Sequence, residues 1–216
     1  MVEISLTASA SVTLHLLRVG VECLGSAERK RVLSRPSATV YRSRMLPRVL
    51  LATALVPDTK TKLQLFQSGD LFSIMIPGRG DLMNSRVHGS EKALAQLACE
   101  QLGDRPKPRL LIGGLGMGFT LAAALNTLGA DAHIVVAELV PEVVEWNRTL
   151  IGAPAGNPLA DARASVYVGD VADVIRREPR GFDAILMDVD NGPEALVRRE
   201  NNWLYGRPEL ETTRAA

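Results

Sequence analysis

The stretch Arg109-Leu-Leu-Ile-Gly-Gly-Leu-Gly-Met-Gly118 decides the fold. Leu110 to Ile112 is an uninterrupted apolar run, the pattern of a strand buried on both faces, and it ends in a glycine-rich turn. The apolar run Phe119 to Leu128 that follows reads as a helix, so the unit is strand, tight turn, helix. Outward from it, a second strand is expected at His133 to Glu138, ending on a carboxylate. A third, Ala164 to Val168, ends on Gly169-Asp170, and a fourth, Phe182 to Met187, ends on Asp188 with Asp190 close behind. Alternation of such strands with helical segments, Pro141 to Arg148 and Val171 to Arg177, predicts a parallel sheet of the α/β class.

In an open parallel sheet, ligands bind in the crevice outside the carboxyl ends of the strands, so the glycines, Glu138, Asp170 and Asp188 should converge on one site. Gly114, Gly116 and Gly118 permit positive φ and let a ligand lie against bare backbone, beside the unpaired N–H groups that open the next helix. Glu138, twenty residues after Gly118, is placed to accept hydrogen bonds from two ribose hydroxyls. Asp170 could accept from an adenine amino group, or cap the helix Val171 to Arg177, and the two roles can coexist. Asp188 and Asp190 are candidates for acid-base work, against the plainer reading that Asp188-Val-Asp-Asn-Gly-Pro193 is a turn nucleated by its own side chains. The spacing G-x-G-x-G, followed by Phe119 and Thr120, departs from the dinucleotide fingerprint at its last glycine. An adenosyl ligand without a pyrophosphate fits it better.

The balance of 25 basic and 24 acidic residues in 216 gives no electrostatic reason to expect a nucleic acid or a membrane surface as partner. Small molecules are the expected class. Two cysteines and three scattered histidines form neither a disulfide framework nor a metal-ligand spacing, which points to a reducing, cytoplasmic compartment and no metal. No apolar run reaches the roughly 18 residues that span a bilayer.

Three regions are expected. Residues 1–44 read as a poorly ordered basic extension, because Ala27 to Arg48 is rich in Ser and Arg with Glu28 its only acid. Residues 45–88 read as a β-hairpin module with strands at Val49 to Val56, Lys62 to Phe66 and Leu71 to Ile76, and a further short one from Leu82 to Val87. Residues 89–216 read as the cofactor-binding domain, opened by a helix from Ser90-Glu91 to Gly103. Only four parallel strands are counted, so the sheet reads as C-terminally incomplete.

Arg109 to Gly118, Val135 to Glu138, Gly169-Asp-Val-Ala-Asp173 and Phe182 to Asp188 together resemble the successive motifs of the Rossmann-like class I S-adenosylmethionine-dependent methyltransferase fold. Within that superfamily the chain is most similar to the spermidine synthase (polyamine aminopropyltransferase) family, through Ile112-Gly-Gly114, the Asp188/Asp190 pair ahead of Gly192-Pro-Glu-Ala-Leu196, and the hairpin module before the sheet. The resemblance covers about Phe66 to Tyr205. It implies aminopropyl transfer from decarboxylated S-adenosylmethionine to a small amine such as putrescine. Glu138 would then hold the ribose, Asp170 the adenine, and Asp188 would be the catalytic base. Asp190, Glu91 and Tyr205 would line the amine site, and a homodimer through the N-terminal module would be in keeping with the family.

Three departures stand out. The family's acid inside the glycine turn is replaced by Gly116, the segment after Asp188 is shortened, and a usual Tyr-His before the glutamate is Gly89-Ser90. Methyl transfer from S-adenosylmethionine itself, and a non-catalytic or vestigial adenosyl-binding domain, therefore stay open beside aminopropyl transfer.

Overall fold

In the computed structural model, which describes residues 2–5 and 46–189, Arg109–Gly113 forms the middle of a parallel sheet. Its elements in chain order are β1 (Val2–Ser5), β2 (Val49–Leu55), β3 (Lys62–Ser68), β4 (Leu71–Ile76), β5 (Gly80–Asn84), α1 (Gly89–Leu102), β6 (Arg109–Gly113), α2 (Phe119–Thr127), β7 (His133–Glu138), α3 (Pro141–Thr149), β8 (Ala164–Val168), α4 (Val171–Arg177) and β9 (Ala184–Met187). The five parallel strands run β1-β9-β6-β7-β8. From β6 the chain steps outward to β7 and β8, then returns to place β9 on the other side of β6. That reversal puts a crevice at the carboxyl ends of β6 and β9.

Side-chain alternation explains both layers. Leu110 and Ile112 of β6, with Ala184 and Leu186 of β9, pack under α1 and α2 through Leu94, Ala98, Leu121 and Leu125. Leu111, Ile185 and Met187 face the other way, against Val171, Val174 and Ile175 of α4. The near-continuous apolar runs of the sequence are thus strands covered on both faces. The short strands β2 to β5 make a separate four-stranded antiparallel sheet. Its inner residues, Leu63, Leu65, Ile74 and Ile76, close a second core with Met117, Phe119, Val143 and Trp146. The glycine turn and α3 therefore lie between the two sheets.

Several expectations change, the strand count among them: the parallel sheet has five strands among the described residues where four were read. Residues 2–5, read as part of a poorly ordered extension, form a strand parallel to β9, with Val2 opposite Ala184 and Ser5 opposite Met187. Four residues are too short a run for periodicity to reveal, and the pairing depends on an edge that only the folded sheet supplies. The strand expected over Leu82 to Val87 starts earlier, at Gly80, and stops at Asn84. There the Asn84 Oδ1 accepts from the backbone N–H groups of Arg86 and Val87 and turns the chain. The Gly/Pro/Ala-rich loop after α3 is two single 3₁₀ turns, Ala153–Ala155 and Pro158–Ala160. No helix among the described residues is long and apolar enough to cross a membrane.

Candidate functional site

A cleft of about 240 Å³ opens at the carboxyl edge of the parallel sheet, between that edge and the antiparallel sheet. Glu91, Gly114, Gly116, Glu138, Asp170 and Asp188, taken from the sequence as site residues, all line it. Gly118 does not. It opens α2 with a φ of +81°, and a β-carbon there would lie 2.9 Å from Pro158 and 3.2 Å from the Asn147 side chain, so it serves close packing behind the turn. Asp190 and Tyr205 lie outside the described residues.

Glu138 is buried at the end of β7 and works first as a brace. Its Oε2 accepts from the Leu115 N–H at 2.9 Å and its Oε1 from the Val140 N–H at 2.8 Å, tying the glycine turn to the start of α3. Burial raises its carboxyl above the usual carboxylate range, opposed by the backbone N–H groups that favour the ionised form. The N–H groups of Gly116 and Leu139 also act on this carboxylate, so the turn and the start of α3 surround it with backbone donors. Asp170 is the N-cap of α4, accepting from the Ala172 N–H at 2.9 Å, while also lining the cleft. The capping role read from the sequence is thus present, and the residue also faces the cleft.

Asp188 follows β9. Its N–H donates to the Gly113 carbonyl at 2.8 Å, which sets its backbone directly beside the glycine turn. Its Oδ2 accepts from the Thr120 hydroxyl at 2.5 Å. Desolvation pushes its carboxyl up to about 6, with the hydrogen bond from Thr120 pulling down and the nearby Glu91 pushing further up. Glu91 reaches the cleft from the first turn of α1, and its Oε2 accepts from the Ser90 hydroxyl at 2.8 Å. Four carboxylates thus line the cleft, and no lysine, arginine or histidine is among the described lining residues. The opposite wall is apolar, built from Leu63, Ile74, Leu82 and Met83 of the antiparallel sheet.

Sequence reasoning missed three contributors. Thr120 follows the glycines in an apolar run and looks like a helix residue. Asn147, 3 % exposed, donates from Nδ2 to the Gly116 carbonyl at 2.8 Å and to the Val143 carbonyl at 2.9 Å, holding the turn from α3. Met83 comes from the other sheet, and its sulfur lies 3.1 Å from where a β-carbon of Gly116 would be. Only the asparagine carried a signal, as a polar residue on the apolar face of a helix. No group of three or more His, Cys, Asp or Glu residues that could hold a metal ion occurs among the described residues.

A parallel sheet with this turn and acidic edge, preceded by a small antiparallel sheet, defines a methyltransferase-like α/β fold. In particular, it is a spermidine synthase-like fold. A spermidine synthase solved in complex with the transition state analogue AdoDATO superposes with a TM-score of 0.59 at 18% identity, over 77% of this chain and 52% of that one. The spermidine synthase from Thermotoga maritima does so with a TM-score of 0.53 at 20% identity, over 64% of this chain and 47% of that one. This chain spans about half the length of the solved structures it matches. No family model and no curated protein matches the sequence.

Proposed function

We propose that the protein transfers an aminopropyl group from decarboxylated S-adenosylmethionine to a small amine, with Asp188 as the base. The observation that carries this reading is the charge of the cleft: four carboxylates and no described basic residue. Such a site attracts a cationic donor and a cationic acceptor, and none of its described side chains could form an ion pair with a ligand carboxylate. Decarboxylated S-adenosylmethionine carries two positive centres and no carboxylate, and it is the chemical class of ligand that this lining suits. The likeness to the AdoDATO-bound spermidine synthase supports an adenosyl donor.

The chain's residues fit such a donor. Gly114 and Gly116 line the cleft with backbone alone, on which a nucleoside could lie. Glu138 would accept from the ribose hydroxyls and Asp170 from the adenine amino group. When bound, the donor supplies a carbon activated by positively charged sulfur, whose electron pair stays on sulfur as the new carbon–nitrogen bond forms. The acceptor amine arrives protonated, and an attacking nitrogen must lose a proton. Asp188, ionised above about pH 6, is in its base form at neutral pH and can take it. Glu91, across the cleft, would hold the amine's positive charge, with Asp190 and Tyr205 proposed beside it.

Methyl transfer from intact S-adenosylmethionine is the second reading, favoured by Gly116, which puts no carboxylate on the turn, next to the neutral Met83 thioether. Calorimetric titration with S-adenosylmethionine, its decarboxylated form and methylthioadenosine separates the two. Tighter binding of the decarboxylated form, with putrescine turnover that Asp188→Asn abolishes, is the expected result. Preference for the intact cofactor would overturn aminopropyl transfer.

A further inference from the structure

The hydroxyl of Thr120 reaches away from its own helix. A threonine inside a helix commonly bonds back to the carbonyl four residues earlier. Two others in this chain do so, Thr127 to the Ala123 carbonyl at 2.9 Å and Thr149 to the Glu145 carbonyl at 2.8 Å. Thr120 stands at the start of α2, where the residue four earlier, Gly116, is still in the glycine turn and offers no helical carbonyl; the Gly116 carbonyl accepts from Asn147. Thr120 lies in the first turn of α2, only 1 % exposed, and its hydroxyl crosses to the Asp188 Oδ2. Valine has nearly the same shape and would fill an apolar site without a polar atom to satisfy, so packing alone gives no reason for a hydroxyl here.

We propose that Thr120 is the positioning residue of the cleft carboxylate: its hydroxyl holds the Asp188 Oδ2 and so presents Oδ1 to the bound amine. The backbone of Asp188 is already fixed by its bond to the Gly113 carbonyl, which leaves the side-chain torsions as the remaining freedom. Thr120 removes it. No hydrogen bond to Oδ1 is found among the described residues. The ionisable groups that share the cleft with Asp188 are Glu91 from α1, Glu138 at the end of β7 and Asp170 after β8, all acidic; the Thr120 hydroxyl favours the ionised carboxylate against burial and against Glu91.

The role as stated rests on the aminopropyl-transfer reading, but the contact can be tested without turnover. Infrared difference titration of the ligand-free full chain reports the Asp188 carboxyl, with Asp188→Asn identifying its band. Thr120→Val should move the midpoint upward by about one pH unit or more, the size expected for losing a hydrogen bond to a charged group. Thr120→Ser should stay near the wild type, and Thr120→Ala, measured alongside, gives the same answer as valine if the valine variant folds poorly. A wild-type midpoint in the valine or alanine variant would overturn the proposal. In the transfer assay, the valine variant should lose turnover with its acid limb displaced to higher pH, and serine should restore both. A wild type that binds the donor but transfers no aminopropyl group overturns the reaction reading, while the infrared midpoints still decide the Thr120–Asp188 contact.

Discussion

The carbonyl oxygen of Asp188 occupies the space in which a side chain on Gly114 would begin. Two strand ends, β6 and β9, meet there with nothing between them but a glycine. With a φ of +95°, Gly114 is also in backbone territory that other residues enter only with strain.

Gly114→Ala should therefore be costly twice over, through overlap with the Asp188 backbone and through the backbone angle. A loss of roughly 2 kcal/mol or more is expected in urea unfolding. Donor binding should weaken in the same variant, because any relief of the overlap moves Asp188. An alanine variant of wild-type stability would mean that the two strand ends are not held in this register.

Asp188 stores the opposite kind of cost. Its folded value of about 6 lies above the ordinary 3.8, so between those two values the folded state holds a proton that the unfolded state has lost. Stability on this account falls as pH rises from about 4 to about 6 and stays reduced above, by up to roughly 3 kcal/mol. Asp188→Asn should remove activity yet raise the unfolding midpoint at pH 7 to 8 and flatten the profile between pH 4 and 6. An asparagine variant less stable than wild type at pH 8 would contradict the desolvation argument.

Glu138→Ala should weaken adenosyl-ligand binding at least tenfold and also lower stability by about 2 kcal/mol, since the N–H groups of Leu115 and Val140 lose their acceptor. Calorimetry of the folded variant isolates the first effect and chemical denaturation the second. Unchanged affinity would sink the ribose assignment and leave the residue as a brace alone.

At Gly116, with φ +53°, aspartate is among the residues that tolerate the left-handed conformation, but Met83 crowds the position. The double variant Gly116→Asp with Met83→Ala should raise the affinity ratio of decarboxylated over intact S-adenosylmethionine at least tenfold, measured by competition between the two. A ratio equal to wild type would show that the donor's tail does not pass this turn.

The sequence by itself determined the local grammar. Buried strands, a glycine turn, a helix after it and acids at strand ends are all encoded within runs of five to ten residues, where apolar period and backbone permission act directly. Strand bounds at His133–Glu138 and Ala164–Val168 and the helix Val171–Arg177 could be read for that reason. Glu138, Asp170 and Asp188 were legible as residues of one edge because the strand ends of a parallel sheet share it, while Glu91 came only with the family resemblance; all four line the cleft. What only the tertiary structure decided are the partners drawn from far along the chain. The return of β9 to the flank of β6 brings Thr120 to Asp188, and the docking of the antiparallel sheet sets Met83 over Gly116. Asn147 reaches the turn from α3, and Val2–Ser5 finds an edge at β9. None of these leaves a periodic trace, because a single contact across 31 or 68 residues is fixed by how layers pack and not by the spacing of its neighbours.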